Sequence, residues 1–279
     1  DDEGLITSYQ LYSSGIQILA SVGEAYGTLF GTSYVRDANG NVVVDANGLP
    51  KISTTNKTLG KFTPDWTGGI SNTFSYRSLS LSFLIDASVG GSIFSNTNKT
   101  GKYTGVLANT LSGRDAEHGG LWYYTAAMGN NVRLPESPSY SVSSDGLYYA
   151  QVNGQSTRVY QDGIMVEGVT ESGSKNEEVV SAEKYYHRIY SIAEANVYDA
   201  SYVKLREVAL SYRLPRLWTQ KLHLQEASVT LTGRNLWTIY KSVPNIDPES
   251  ALTTGNAQGV EAYSLPTTRS FGVNLSVKF

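Results

Sequence analysis

Phe271-Gly272-Val273-Asn274-Leu275-Ser276-Val277-Lys278-Phe279 closes the chain, and its odd positions are all apolar while its even positions are polar or glycine. Successive side chains of an extended backbone point to opposite faces, so one face of this strand is wholly apolar. Upstream, Leu79, Leu81, Phe83, Ile85, Ala87 and Val89 alternate with Ser80, Ser82, Leu84, Asp86, Ser88 and Gly90, and only Leu84 is out of phase. Just before them, Trp66, Gly68, Ile70, Phe74 and Tyr76 alternate with Thr67, Gly69, Ser71, Thr73 and Ser75, and Arg77-Ser78 between the two runs reads as a tight turn. A second pair follows the same plan. Val208, Leu210, Tyr212 and Leu214 oppose Ala209, Ser211 and Arg213, and Leu214-Pro215-Arg216 turns the chain. From Ala227, the run Ala227, Val229, Leu231, Gly233, Trp237 and Ile239 opposes Ser228, Thr230, Thr232, Arg234 and Thr238. The rule fails at Asn235-Leu236 and again from Lys204 to Glu207, which predicts a bulge or the edge of a membrane there.

Alternation by itself also fits a soluble β-sandwich, whose strands pack one face on a core. Three features favour a membrane barrel. The non-apolar face is Ser, Thr, Asn and Gly rather than Lys and Glu, which suits a wet lumen. Aromatic residues sit near strand ends, at Trp66, Tyr76, Tyr212, Trp237 and Phe279, where an interfacial girdle places them. The connections alternate between short and very long: Arg77-Ser78 and Leu214 to Gln225 against Gly91 to Ala200 and Tyr240 to Thr267. Outer-membrane barrels have short periplasmic turns and long external loops, so the long pair is expected on the cell exterior. A run of about 100 residues without a membrane strand is foreign to a compact soluble domain and suits an external, ligand-facing element.

Composition agrees with a β-rich chain. Of 279 residues 17% are charged, while Tyr occurs 20 times and Gly 27 times; an average soluble domain has about 25% charged residues. A formal charge of -3 with no run of basic residues gives no footprint for a nucleic-acid partner. The absence of Cys excludes disulfides, thiolate metal sites and thiol nucleophiles. No stretch approaches the ~18 uninterrupted apolar residues of a transmembrane helix, but a barrel strand needs only ~9–11. The chain opens Asp1-Asp2-Glu3-Gly4 without a basic and apolar leader, so a processed or truncated start is expected.

Little in the sequence points to catalysis. Asp37-Ala38-Asn39-Gly40-Asn41 and Asp45-Ala46-Asn47-Gly48 superficially resemble calcium loops but lack the spacing of Gly and Glu that an EF-hand needs; they read as hairpin turns. His118, His187 and His223 have no second ligand at metal spacing. Asp115, Glu117 and Asp162 have no nucleophile or acid motif around them and read as solvated loop charges. The expectation is a non-enzyme with no cofactor and no metal.

Six blocks, in order, carry a family resemblance: Val22-Gly23-Glu24-Ala25-Tyr26-Gly27, Pro64-Asp65-Trp66-Thr67-Gly68-Gly69, Asp199 to Val208, Gly233-Arg234-Asn235-Leu236, Pro244-Asn245-Ile246-Asp247-Pro248-Glu249 and Leu265 to Phe279. They resemble the C-terminal portion of the SusC/RagA family of TonB-linked outer-membrane proteins of Bacteroidetes. The resemblance implies an all-β fold, the C-terminal part of a large antiparallel barrel of about 22 strands whose lumen a plug fills. Residues 1–279 are then one barrel segment, about a third of the whole, without plug or TonB box, carrying a long external loop at about 91–200 and a terminal strand at about 268–279. The family implies a SusD-like surface lipoprotein as lid, TonB as energy source, outer-membrane lipid around the strands, and an oligosaccharide or, in some members, a peptide as cargo. The rival readings are a passive porin, a soluble carbohydrate-binding domain and a glycosidase domain.

Two sets of site residues follow. In the long loop Trp122, Tyr123 and Tyr124 are adjacent aromatics that can stack on sugar faces, contact a partner, or simply pack the loop. In the last strand Phe271, Val273, Leu275, Val277 and Phe279 are expected to face lipid and, by resemblance, to be the signal read by the outer-membrane insertion machinery. Ser181 to Ala193, with Tyr185, Tyr186, Ile189 and Ile192 at near-helical spacing, predicts a short packed helix capped by Ser181.

Overall fold

The computed structural model describes residues 5–11, 15–135, 138–221, 223–251, 255 and 258–279. In chain order its elements are β1 (Leu5–Leu11), β2 (Ile16–Ser21), β3 (Thr28–Gly31), β4 (Lys57–Lys61), β5 (Trp66–Tyr76), β6 (Leu79–Val89), β7 (Ser92–Ser95), α1 (Asn96–Thr104), β8 (Leu121–Thr125), β9 (Asn131–Arg133), β10 (Tyr140–Val142) and β11 (Tyr148–Val152). There follow β12 (Gln155–Met165), β13 (Val179–Ser181), α2 (Ala182–Tyr190), β14 (Val197–Asp199), β15 (Tyr202–Arg213), α3 (Arg216–Lys221), β16 (Glu226–Lys241), β17 (Val260–Glu261) and β18 (Ser270–Lys278). The fold is all-β, as expected, with three short helices among the described residues. None of those helices is long and apolar enough to cross a membrane, a fact that says nothing about strands. Two compact units divide the chain: Asp1–Leu19 with Leu29–Leu59 and Phe94–Val197, and Ala20–Thr28 with Gly60–Ile93 and Tyr198–Phe279.

The second unit is built on an open antiparallel sheet in the order β18-β16-β15-β6-β5. Its register lines up what the sequence alternates. One row across all five strands runs Phe74, Leu81, Leu210, Leu231 and Val273, and the next is Tyr76, Leu79, Tyr212, Val229 and Leu275. The row between them, on the other face, is Ser75, Ser80, Ser211, Thr230 and Asn274, tied by Ser75 to Ser80 and Ser211 to Thr230 hydroxyl contacts of 2.9 Å. The apolar face is open: Phe271, Val273 and Leu275 are 81%, 74% and 64% exposed, and Ile70, Phe74 and Leu231 are exposed with them. A soluble protein rarely leaves a contiguous apolar patch beyond about 300–600 Å². Two apolar rows of this kind, each crossing all five strands, fit lipid better than water and speak against the sandwich reading.

Both ends of the sheet match the predicted asymmetry. The two-residue turn Arg77-Ser78 and the compact connection through α3 meet at one end, where the Arg213 N–H donates to the Ser78 carbonyl at 2.8 Å. Tyr76, Tyr212, Trp218 and Phe279 are exposed at that end, and Trp66, Trp237 and Tyr240 towards the other, in the manner of two girdles. The bulge predicted at Lys204 to Glu207 is present: both ladders of β15 change register between Leu205 and Glu207.

The first unit is ordinary protein interior. Its main sheet runs β10-β11-β12-β8-β9, with β13 paired to β12. Val44, Val166 and Val180 form one core cluster and Trp122, Ala150 and Val159 another. The predicted helix is α2, capped by the Ser181 hydroxyl accepting from the Lys184 N–H, with Tyr186 and Ile189 turned inward. The Asp37 and Asp45 turns are tight turns as read: Asp37 Oδ1 accepts from Asn39 and Asn41 N–H, and Asp45 Oδ1 from Asn47 and Leu49 N–H.

Candidate functional site

Charges are expensive in a membrane-spanning sheet, so those on its polar face call for partners. Asp86 on β6 and Lys204 on β15 are cross-strand neighbours there. The bulge at Arg206 interrupts the alternation, so Arg206 joins Lys204 on that face instead of pointing to lipid. Over them folds the segment Val243 to Ser250, held by Val243 and Ile246 packing on Ile93. Asn245 takes a left-handed turn at φ 64°, and Asp247 Oδ1 accepts from the Glu249 N–H at 3.1 Å.

The result is a closed charge cluster. Lys204 Nζ donates to Asp247 Oδ1 and Glu249 Oε2, each at 2.5 Å. Arg206 grips Asp86 Oδ2 through Nε at 2.9 Å and Nη2 at 2.7 Å, and Glu249 Oε2 through Nη1 at 2.7 Å, with a further Nη2 bond to Glu249 Oε1. The Tyr202 hydroxyl donates to Glu249 Oε1 at 2.9 Å. Asp247 Oδ2 receives the Thr267 hydroxyl at 2.5 Å and its N–H at 3.1 Å. The Lys204 side chain is only 3% exposed and that of Asp247 8%.

Burial of this depth costs several kcal/mol per ion, offset only where each charge is fully hydrogen-bonded, as here. Burial pushes the Asp247 carboxyl up, and the Lys204 ammonium with the Thr267 hydroxyl and N–H outweighs that, leaving it at about 2. Glu249 is likewise lowered: its desolvation is outweighed by hydrogen bonds from Arg206 and Lys204. Asp247 and Glu249 are thus held as carboxylates, and the cluster acts as a latch, fastening a long loop to the polar wall of the sheet. No group in it is placed as a nucleophile or shared acid and base.

Two of the quoted sequence blocks, Asp199 to Val208 and Pro244 to Glu249, thus meet face to face. The first block also reaches the edge of the second: Gly27 accepts from the Phe62 N–H at 3.0 Å through its carbonyl, and a Cβ on Gly27 would fall 2.2 Å from the Phe62 ring, two residues ahead of Pro64. Within Gly233 to Leu236, Asn235 is left-handed at φ 52°. Leu236 lies over Gly233, where a Cβ would come within 2.8 Å of it.

The loop aromatics sit elsewhere. Trp122 and Tyr123 are buried and Tyr124 is half-buried. Trp122 packs against Tyr140 and Tyr148, and Tyr123 stacks on Tyr160 and donates to Asp162 Oδ1 at 3.0 Å. These rings hold their own sheet together. Asp115 and Glu117 line one open cleft with the sequence-distant Asp162, Arg114 and Arg158, and Asp115 Oδ1 engages His118 Nδ1 at 2.7 Å. Phe271, Val273, Leu275 and Val277 alternate along β18, with Phe279 just past its end, and β18 pairs with β16 alone among the described residues. The quoted blocks contain the latch residues, but the sequence does not show that they meet; Asp86 in a Ser row and the phase break at Lys204 are its visible signs.

No protein-family model matches the chain. The chain is 25% identical over its whole length to TonB-dependent receptor P3 of Formosa agariphila, of which it spans 22%. Among solved structures it is similar to the RagAB peptide transporter (TM-score 0.49, 16% identity, 98% of this chain and 24% of that one). The RagAB peptide importer in its closed-closed state gives a TM-score of 0.48 at 17% identity, over 98% of this chain and 25% of that one. The resemblance read from the six blocks therefore extends along the whole chain.

Proposed function

We propose that the chain is a TonB-linked outer-membrane barrel sequence of the SusC/RagA type and that it serves TonB-dependent import of a nutrient, an oligosaccharide, across the bacterial outer membrane. One observation carries the reading: the five-strand sheet exposes apolar rows on one face and a hydroxyl-lined wall with latched charges on the other. That is the division between lipid and an aqueous lumen. The energy comes from TonB, and the sheet supplies binding and passage without chemistry of its own. A SusD-like lipoprotein covers the outer mouth, and the segment from Gly91 to Ala200 contributes to that contact and to the roof of the cavity. Trp122, Tyr123 and Tyr124 support this by fixing the shape of the segment, since two of the three are already spent on packing.

The test is growth on, and uptake of, defined oligosaccharides by cells carrying the intact gene, its deletion, or a tonB deletion. Uptake that requires both genes is the expected result; uptake indifferent to TonB points to a passive porin, and uptake of oligopeptides alone replaces the cargo. A pull-down from detergent-solubilised outer membranes, with and without residues 91–200, tests the partner: a loop-deleted barrel that inserts, keeps its lipoprotein and still imports contradicts the role given to the loop. The row Phe271, Val273, Leu275, Val277 and Phe279 is proposed as the assembly signal. Deleting Phe279 is expected to lower the amount of inserted protein on membrane fractionation, and normal levels contradict the assignment.

A further inference from the structure

The end of the sheet with the short connections carries cations that no carboxylate among the described residues matches. From Ser211 to Gln225 the sequence has Arg213, Arg216 and Lys221 and no acidic residue, and Arg77 stands in the neighbouring turn. Arg213 reaches Glu226 at 2.9 Å. Arg77, Arg216 and Lys221 make no ion pair among the described residues and are exposed. Towards the other end, Lys61 is matched by Asp65, Lys204 and Arg206 by the latch, and Arg234 by Glu207 in an exposed pair. Arg77 is held at φ 52°, a left-handed conformation that glycine or asparagine adopts at less cost. Its guanidinium lies over the Tyr76 ring, 5.3 Å from the centre. Tyr76 belongs to an apolar row, so this charge sits at the border of the apolar face.

Apolar side chains accompany these cations. α3 packs on β16, and Ala227, which opens the apolar row of that strand, is buried where Leu231 further along is exposed. The connection therefore covers this end of the apolar face, yet Leu217 and Trp218 on it are themselves 74% and 58% exposed. The rest of a barrel leaves that exposure in place. α3 joins β15 and β16, which have β6 and β18 on either side, so further strands add beyond β5 or β18, and a plug fills the opposite, polar side.

We propose that Arg77, with Arg216, Leu217, Trp218 and Lys221 of α3, forms an interfacial contact site for the phosphate headgroups of anionic phospholipid in the leaflet at this end of the barrel; this rests on the reading that the apolar face meets lipid. Leu217 and Trp218 enter the interface, and the cations beside them stay level with the phosphates. A guanidinium donates to phosphate oxygens in a fixed fork. Unmatched cations favour an anionic headgroup over a zwitterionic one, whose own ammonium competes for its phosphate.

The experiment uses the full-length transporter in vesicles of phosphatidylethanolamine with a minority of phosphatidylglycerol. The photocrosslinker benzoylphenylalanine, itself aromatic, replaces Trp218 in one form and Val273 in another, and mass spectrometry identifies the adducts. At position 218 the expected adducts are lipid, enriched in phosphatidylglycerol about three-fold over its share of the bilayer, the scale of one exposed ion pair. High salt, or Arg77→Gln with Arg216→Gln and Lys221→Gln, is expected to bring them to the bulk ratio. The salt arm needs no charge variant, so poor insertion of the triple variant leaves the test intact. Arg77→Lys with Arg216→Lys is expected to keep the enrichment. Protein adducts at position 218, or lipid adducts at the bulk ratio whatever the salt, overturn the proposal while lipid adducts at position 273 uphold the barrel. Position 273 without lipid adducts defeats the barrel reading and this site with it.

Discussion

The sheet and the loop unit solve opposite solvation problems with the same alphabet. In the sheet, Phe74, Leu231, Val273 and Leu275 point outward uncovered, while Lys204 and Asp247 are shut away. In the loop unit Val44, Val180, Trp122 and Ile189 are inside, and its ion pairs, such as Lys51 with Glu171, lie at the surface. The loop unit follows the ordinary rule for proteins in water. The sheet inverts it, as the proposed barrel requires, with lipid in place of a core on one side and an aqueous lumen on the other. Buried charge on the wet side is then affordable only as a completed network, which is what the latch provides.

The largest effect that could break this comparison lies at the latch. Lys204→Met removes the cation shared by Asp247 and Glu249, leaving Asp247 without a cation and Glu249 with Arg206 alone; the expected loss in anchoring of the 242–269 loop is about 3–5 kcal/mol. Hydrogen exchange of that loop in the inserted barrel reads it out, and unchanged protection would show the cluster to be incidental. A comparable substitution of the exposed pair, Arg234→Gln, is expected to leave loop protection as it is.

The two faces of the last strand give the next effect. Leu275→Arg is expected to cost about 2–4 kcal/mol near the membrane midplane, and Ser276→Arg, one residue on, little. Folding titrations into lipid vesicles compare them. Equal losses from both would mean that the apolar row does not face lipid.

A smaller effect concerns acid. Asp247, held at about 2 against an ordinary value of 3.8, binds its proton less readily in the folded state than in the unfolded one. Its contribution is therefore complete above about pH 4 and is lost as the pH falls through about 2. Pepsin cleavage of the 242–269 loop is expected to rise across that window. Asp247→Asn should weaken the loop at neutral pH and flatten its acid response; a variant with the wild-type acid profile would assign that response to another group.

How much of this was legible in the sequence follows from the range of the forces involved. Period-two patterning is local, so the strands, the turn at Arg77-Ser78, the terminal row and even the break at Lys204 to Glu207 could be read directly. The Ser181 cap of α2 was legible for the same reason. The latch was not, because Asp86, Lys204 and Asp247 lie on three segments whose meeting depends on sheet order and on how the Val243 to Ser250 segment folds back. The fate of Trp122 and Tyr123 was undecidable locally: an aromatic run reads alike whether it stacks on a ligand or on Tyr140 and Tyr160. The six-stranded sheet of the loop unit escaped because, apart from β12, its strands are only three to five residues long, too short for a period-two pattern to show.

The contrast between the two faces of the sheet can be measured residue by residue, because the chain has no cysteine of its own. Single cysteines placed in turn from Phe271 to Phe279 of the full-length protein in outer-membrane vesicles would be probed with a water-soluble maleimide and, as nitroxide labels, with oxygen and an aqueous nickel complex. The account predicts a period of two: Gly272, Asn274, Ser276 and Lys278 positions reached from water, and Val273, Leu275 and Val277 positions shielded from the maleimide and relaxed by oxygen dissolved in lipid. Uniform aqueous access along the strand, or a pattern with the odd and even positions reversed, would contradict it.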